Sequence, residues 1–321
     1  MKHLFALDYL LRIAYSRVKG NVKWRDFCHP EVAEQIRKKE ISRMVKFFYR
    51  HKLIVFLAVI GLALFQSASW ANHSWGKYHW ARTINPFTLK TGDNVNSSWD
   101  SYLNTTVSDW TASSVLNLSK VSGQGGSSCT PTLGRVEVCN GSYGNNGWLG
   151  IASIWTAGGR NRNHIVQGTV KLNDTYFNTA QYNTPAWRNL VSCQEVGHTL
   201  GLDHQDENFN NANLGTCMDY TNNPASNQHP NQHDYDQLVT IYTHLDSTTT
   251  VSAGIRSKMP PAMNDIDFSS RATWGKMVWK SPDGHVALYV LDFGNGNKVI
   301  TRVIWANPTF EVPEAPHRGA K

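Results

Sequence analysis

The chain has 321 residues, of which 40% are hydrophobic, enough for one large domain or two modest ones. Its net charge of +7 is typical of proteins that bind nucleic acid or anionic membranes. However, residues 1–71 carry 13 of the 31 basic residues and only 5 of the 24 acidic ones. The remaining residues, 18 basic and 19 acidic, are nearly neutral. The distribution of charge therefore excludes a nucleic-acid-binding function for the main part of the chain.

Residues 1–71 have the pattern of a basic leader followed by a signal peptide. An apolar run of about 13 residues, within HKLIVFLAVIGLALFQ, follows a basic segment and precedes the small residues Ser69 and Ala71, as cleavage requires. The run is shorter than the roughly 20 residues of a membrane span. We therefore expect a secreted protein whose translation begins at Met44. The alternative is an uncleaved signal anchor that tethers the protein to a membrane.

The cysteines support export independently. One cysteine, Cys28, falls in the leader, and an even set of four remains, which is the usage expected of a disulfide-bonded extracellular protein: Cys129, Cys139, Cys193 and Cys217. Four cysteines permit three pairings, and sequence alone cannot choose among them. We favour 129–139 and 193–217. The alternative for Cys193 is a thiolate that binds a metal ion.

Residues 72–246 have the mixed pattern of an α+β domain. Aromatic residues at helical spacing in NVNSSWDSYLNTTVSDWTASS precede two predicted strands, LGRVEVC and HIVQGTVKLN. Between these strands lies GWLGIASIW, a third apolar strand that is rich in small residues. We predict that it is an edge strand that holds an extended peptide by main-chain hydrogen bonds, through Leu149, Gly150, Ile151 and Ala152. The alternative is an ordinary buried strand.

The last part of the chain reads as β-hairpins. After a predicted linker at residues 247–264, short aromatic and β-branched runs in residues 265–306 are separated by PDG and GNGN. This segment is either a small accessory sheet or an extension packed on the main domain. Residues 307–321 are predicted to be a disordered tail.

A helix is predicted over residues 185–200. Thr184 is a good N-cap before Pro185, and Gly201 is a natural helix stop. Residues at i, i+3 and i+4 spacing form one stripe, which changes from apolar to polar toward the C-terminal end, where a cleft is expected: Trp187, Leu190, Val191, Gln194 and His198.

The end of this helix carries the spacing of a zinc-protease site. Zinc proteases place two ligands at i and i+4 on one helix face, with a glutamate beside the first ligand. A glycine three residues after the second ligand then turns the chain toward a third. Glu195, His198, Gly201 and His204 lie at these offsets, but Gln194 stands where the first histidine is expected.

Residues 194–204, together with Met218, resemble the metzincin clan of zinc endopeptidases, whose signature is HExxHxxGxxH followed by a methionine turn. A looser resemblance, nearest to the matrixin-type secreted enzymes, covers most of residues 78–246. The resemblance implies a metzincin-like domain, a twisted mixed sheet with an active-site helix and a Met-turn. It also implies that Glu195 is the general base and that Met218 forms a floor beneath the metal ligands.

The implied metal is Zn²⁺, and its implied ligands are Gln194, His198 and His204. A glutamine amide oxygen is a poorer zinc donor than an imidazole. A replacement ligand from elsewhere is therefore an open alternative, and the candidates are His164, His229, His233 and Asp203. The MDY sequence also places Tyr220 as in the astacin-like and serralysin-like branches, where that tyrosine reaches the metal or the developing oxyanion.

These observations predict a secreted, monomeric zinc endopeptidase that hydrolyses extended peptides or proteins with a metal-activated water and Glu195 as general base. We expect no nucleic-acid partner, and no membrane contact once the signal is cleaved. The alternative function is a catalytically inactive, metzincin-like protein that binds a peptide or a partner in the same cleft.

Overall fold

A mixed β-sheet of nine strands forms the centre of the fold in this computed structural model. The structure describes residues 38–39, 42, 73–156, 158, 163–209, 212–251, 259–263 and 266–307. The predicted leader therefore lies outside the described residues, except for positions 38, 39 and 42, and so does the predicted tail beyond residue 307. The chain from Ala71 to Lys321 forms one compact unit.

Parallel strands make up one half of the sheet and antiparallel strands the other. Their order is β3-β2-β4-β6-β5-β9-β8-β7, and β1 pairs with β6 outside this path. Strands β1 to β4 and β6 pair in parallel, whereas β5 is antiparallel to both of its neighbours and β7, β8 and β9 form an antiparallel meander. The strands are β1 (His79–Trp80), β2 (Phe87–Asn94), β3 (Leu116–Ser122), β4 (Arg135–Gly141), β5 (Trp148–Thr156), β6 (His164–Asn173), β7 (Lys276–Lys280), β8 (Val286–Asp292) and β9 (Lys298–Trp305).

Few helices accompany the sheet, so the fold is α+β with a mixed sheet, as the sequence predicts. The α-helices of the described unit from residue 73 onward are α1 (Asp100–Thr111), α2 (Asp174–Phe177), α3 (Pro185–Thr199) and α4 (Gln232–Ile241). Short 3₁₀ turns lie at Pro224–Ser226, Pro261–Met263 and Arg271–Thr273. The predicted helix at 185–200 is thus α3, one residue shorter.

The C-terminal hairpins extend the main sheet rather than forming a separate one. Strand β9 pairs with β5 from end to end, and Ala152 lies opposite Arg302. The prediction that Leu149, Gly150, Ile151 and Ala152 form a free edge for substrate is therefore wrong. The small residues of β5 are buried because β6 and β9 flank it on both sides.

Apolar side chains form a core on each face of the sheet. On one face, α1 and α3 pack against the strands through residues such as Trp99, Trp110, Leu190 and Val196. On the other face, a second cluster includes Trp148, Trp155, Trp274 and Tyr289. Because strand residues alternate between faces, Val299 and Val303 of β9 enter the second cluster, whereas Ile300 and Ile304 face the helices. Arg302 lies between these two isoleucines, on the helix-facing side.

A search of the described part of the chain finds no helix that is both long enough and apolar enough to cross a membrane. The apolar run of the predicted signal peptide lies outside that part, so secretion stays a prediction.

Candidate metal centre

The local sequence sets both ends of α3, the helix that carries the predicted site. At its start, the hydroxyl of Thr184 accepts a hydrogen bond from the backbone N–H of Trp187, at 3.3 Å, as an N-cap does. At its end, Gly201 adopts a φ of +96°, and a β-carbon there would lie 2.5 Å from the carbonyl oxygen of Tyr78. The chain can therefore turn sharply after the helix only because this residue is glycine.

That turn brings His204 back to His198. Their Nε2 atoms lie 3.1 Å apart, and both side chains are buried. Nδ1 of His198 lies 2.9 Å from the carbonyl oxygen of Leu202, which can only accept, so Nδ1 carries the proton and Nε2 presents a lone pair. Burial lowers the pKa of His198 well below its usual range and that of His204 to about 3. Both imidazoles are therefore neutral, as metal ligands must be.

Gln194 lies one helical turn before His198 and is also buried. Its amide nitrogen donates a hydrogen bond of 2.7 Å to the carbonyl oxygen of Cys217. The amide oxygen is thus the one atom of this side chain that remains to bind a cation. The hydrogen bond also fixes the orientation of the amide group, a constraint that metal-binding histidines usually receive from a similar partner.

Glu195 is completely buried and packs against β5. A β-carbon at Gly150 would lie 2.7 Å from Oε1 of Glu195, so the absence of a side chain at Gly150 makes room for this carboxyl group. Among the described residues, neither carboxyl oxygen has a hydrogen-bond partner. Burial raises the pKa of Glu195 well above its usual range, whereas the positive charge of Arg302 lowers it.

Tyr220 closes another side of the site. Its ring centroid lies 5.5 Å from that of His204. The hydroxyl group is buried and has no hydrogen-bond partner within the described residues, and burial raises the pKa of Tyr220 well above its usual range. The phenol is therefore neutral and can donate a hydrogen bond. Tyr220 and Gln194 line one cleft together with residues from β5, α3 and the end of β9: Leu149, Trp187, Ile304 and Trp305.

Met218 lies beneath α3. A β-carbon at Gly197, in the middle of the helix, would lie 2.7 Å from the sulfur of Met218. The neighbouring disulfide between Cys193 and Cys217 joins the same two segments, with a Cα separation of 5.9 Å. Cys129 and Cys139 form the other disulfide. Both predicted pairings are thus confirmed, and the alternative of Cys193 as a metal-binding thiolate is wrong.

The candidate replacement ligands are held by other partners. Nε2 of His164 lies 3.2 Å from Oδ1 of Asp246, and Nδ1 of His229 lies 2.7 Å from Oδ2 of Asp109. Nδ1 of His233 lies 3.1 Å from Nε2 of His73. Asp203 forms an ion pair with Arg302 and accepts a hydrogen bond from the backbone N–H of His204. Each of these four residues therefore has a role that the sequence did not indicate.

Two residues near the site were missed by the sequence predictions. His73 binds the carbonyl oxygen of Asp203 through Nδ1, at 2.9 Å, and burial lowers its pKa to about 4. Arg302 is buried, and its guanidinium lies 3.6 Å from Oε1 of Glu207 in addition to its contact with Asp203. No local motif marks either residue, because sheet pairing and chain folding bring both in from distant parts of the sequence.

His198 and His204 are well placed to bind one zinc ion, whereas Gln194 is a less suitable third ligand. Two nitrogens that bind one tetrahedral zinc ion at 2.0–2.1 Å lie about 3.3 Å apart, close to the 3.1 Å between His198 and His204. The oxygens of Glu195 and Tyr220 have no hydrogen-bond partner among the described residues and are free to bind a water or a substrate, and the Tyr220 ring lies beside His204. The third position has only the neutral amide oxygen of Gln194, a weak donor for zinc.

Several groups of the described residues could hold a metal ion. Each of three clusters brings ligand atoms of three residues within 4.8 Å: His73, His233 and Asp234; His79, His164 and Asp246; Asp203, His204 and Glu207. In the last of them, Arg302 already neutralises both carboxylates.

No protein-family model matches this chain, and no curated protein matches it.

Proposed function

We propose that the protein is a secreted, zinc-dependent endopeptidase of the metzincin type. The observation that carries the proposal is the pair of buried, neutral imidazoles of His198 and His204, together with Glu195, three residues before His198 on α3, whose buried carboxyl group has no hydrogen-bond partner among the described residues. An isolated carboxyl group is costly to bury, so packing alone gives no reason for Glu195. The two disulfides support an oxidising compartment.

A zinc ion held by His198, His204 and Gln194 would polarise the scissile carbonyl group and lower the pKa of a water molecule. The role of Glu195 would be to accept a proton from a water molecule and to deliver it to the leaving amine. To act as a base, Glu195 must be ionised; burial raises its pKa and opposes this, and the charge of Arg302 offsets the effect of burial in part. Tyr220, whose phenol is neutral, donates a hydrogen bond to the developing oxyanion.

Because β9 covers the edge of β5, we propose that the substrate approaches instead by the cleft that Gln194 and Tyr220 line. Trp187 and Trp305 provide apolar and aromatic contact surface in this cleft. We propose that an extended peptide places its scissile bond beside His198 and His204.

A second candidate function is a catalytically inactive protein that binds a peptide or a partner in the same cleft. Arg302 favours this alternative, because a fixed positive charge close to His198 and Glu195 opposes a metal cation. Gln194 also favours the inactive alternative, because its amide oxygen binds zinc more weakly than an imidazole would.

Zinc content and peptide cleavage distinguish the two functions. The endopeptidase is expected to contain zinc and to cleave an unstructured protein, an activity that a chelator abolishes and added zinc restores. Glu195→Gln should retain the zinc and lose the activity, because the amide has a similar shape but cannot act as a base. A protein that takes up no zinc at micromolar concentration and cleaves nothing would support the inactive binding protein instead.

A further inference from the structure

Three histidines and one aspartate converge at a second place in the fold. His79 belongs to β1, His164 is the first residue of β6, and His244 and Asp246 follow α4. None of the four belongs to the catalytic zinc site proposed above, which consists of Gln194, His198, His204, Glu195 and Tyr220. The sequence does not reveal this cluster, because its members come from three separate parts of the chain.

Several distances between the potential ligand atoms are close to those of one tetrahedral metal site. Nε2 of His79 lies 3.2 Å from Nε2 of His244, and Oδ1 of Asp246 lies 3.2 Å from Nε2 of His164 and 3.6 Å from Nε2 of His244. Ligand atoms on one tetrahedral zinc ion are about 3.3 Å apart. The rings of His164 and His244 both meet the ring of His79 nearly edge to face, with centroids 4.9 and 4.7 Å away.

Neighbouring groups already orient two of the ligands. Nδ1 of His79 lies 2.8 Å from the carbonyl oxygen of Lys77, so Nδ1 donates and Nε2 keeps its lone pair. Oδ2 of Asp246 accepts hydrogen bonds from the backbone N–H and the guanidinium of Arg82, at 3.3 and 3.1 Å, and lies 3.5 Å from Nε2 of His79. Oδ1 faces His164 and His244. Arg82 also binds the carbonyl oxygens of Tyr242 and His244 and thereby fixes the loop that supplies two ligands.

Hydrogen bonds alone do not satisfy this cluster. Three imidazoles share a single carboxylate whose second oxygen Arg82 occupies, and Nδ1 of His164 is buried without a hydrogen-bond partner within the described residues. Burial lowers the pKa values of His164 and His244, so the neutral forms prevail and their Nε2 atoms can act as ligands. The ligand atoms of His79, His164 and Asp246 all lie within 4.8 Å of one another, and Nε2 of His244 lies beside that of His79, so a cation bound by the first three is within reach of His244 as a fourth ligand.

We propose that His79, His164, His244 and Asp246 bind a divalent transition-metal ion, best suited to Zn²⁺. Three imidazoles and a carboxylate are a common zinc ligand set, and four protein ligands leave no open position for a substrate. The site is therefore structural. It joins β1 and β6 to the segment that follows α4, and it does not depend on the proposed peptidase activity.

The test uses the full-length protein in a His198→Ala background, so that the candidate active site contributes little metal binding. Cobalt(II) is the probe, because tetrahedral cobalt gives a strong visible absorption. We expect this protein to bind one equivalent of cobalt with a tetrahedral spectrum. Adding His244→Ala should weaken binding by about tenfold or more. His244 suits this substitution because its side chain is 54% exposed.

The matched control is His229→Ala, because the His229 side chain is 56% exposed and also contacts a carboxylate. This control should bind cobalt like the background. Asp246→Asn provides a second test that retains the side-chain volume, and far-UV circular dichroism verifies that every variant is folded. Zinc should also raise the melting temperature of the background but not that of the folded variants. The proposal is overturned if the folded background binds no cobalt, or if His244→Ala and Asp246→Asn bind it unchanged.

Discussion

Arg302, on the last strand of the sheet, forms an ion pair with Asp203, the residue that directly precedes His204. The guanidinium also faces Glu207 and the buried carboxyl group of Glu195. Because burial lowers the pKa of Arg302 only to about 9, the side chain stays charged at neutral pH. The C-terminal segment therefore supplies the fixed positive charge of the candidate site.

Replacing Arg302 with methionine should destabilise the protein by about 3 kcal/mol, because the substitution leaves the buried carboxyl group of Glu195 and the partly buried one of Asp203 without their cation. Zinc affinity should rise in the same variant, since a positive charge near the metal position is removed. Urea unfolding and zinc titration measure the two effects. Lys298→Met is the control, because Lys298 also lies on β9 and pairs with Asp292, but in an exposed position. Equal zinc affinity in wild type and Arg302→Met would contradict the electrostatic role.

Gly150→Ala tests the contact between β5 and the proposed catalytic base. The added methyl group would lie 2.7 Å from both Oε1 of Glu195 and Cγ1 of Val191, so we expect a loss of about 1–3 kcal/mol and a displaced carboxyl group. Peptidase activity should fall by more than the loss of folded protein alone would cause. Gly168→Ala is the matched control, because Gly168 is also in a strand and the nearest atoms would be 3.5 Å away. Similar activities for the two variants would disagree with this account.

Gln194→His should increase the zinc affinity, and Gln194→Ala should decrease it, by about tenfold or more in each case. The physical reason is that imidazole is a stronger zinc ligand than an amide oxygen. Zinc titration in competition with a coloured chelator measures the change. If neither substitution changes the affinity, Gln194 is not a ligand, and His73 is the next residue to test.

The disulfide at the site should affect metal binding as well as stability. Replacing Cys193 and Cys217 together with alanine should cost about 3 kcal/mol from chain entropy and should also lower zinc affinity, because the Met218 segment is no longer fixed to α3. Replacing Cys129 and Cys139 should reduce stability by a similar amount and leave zinc affinity unchanged. Equal zinc affinity in both double variants would count against a positioning role for the Cys193–Cys217 bond.

His73 should make the metal-free protein less stable as the pH falls. Its pKa is about 4 in the folded state and 6.5 in the unfolded state, so only the unfolded chain gains this proton between these values. The stabilising contribution is thus complete above pH 6.5 and is lost toward pH 4, by about 1.4 kcal/mol per pH unit. Unfolding in the presence of a chelator measures it. In His73→Asn this part of the pH dependence should disappear, and an unchanged dependence would refute the assignment.

Local features of the fold followed directly from the sequence. The Thr184 cap, Pro185 and Gly201 predicted α3 to within one residue, since these residues act on their immediate neighbours. The Cys193–Cys217 pairing was favoured because each cysteine directly precedes a residue of the zinc-protease pattern. In the same way, the PDG and GNGN turns predicted the C-terminal hairpins.

Other features depend on contacts between distant residues, and the sequence did not reveal them. The small residues of β5 suggested an exposed edge, but their pattern is equally compatible with a strand buried by β9, about 150 residues later. Arg302 looked like an ordinary strand residue, because only the pairing of β9 with β5 turns it toward Glu195. His164 was considered as a replacement ligand beside Gln194, and the sequence did not reveal that it lies with His79 and Asp246, because these two come from opposite ends of the domain.

The position of β9 has a consequence for the order in which the protein matures. A ribosome completes α3, His204 and the Met218 segment long before it synthesises residues 298–305, so the emerging chain exposes the edge of β5 and lacks its buried guanidinium. During this interval the edge can pair with any other extended strand, including one from a neighbouring nascent chain. Pairing of the last strand with β5 ends this exposure and completes the charge arrangement around Glu195.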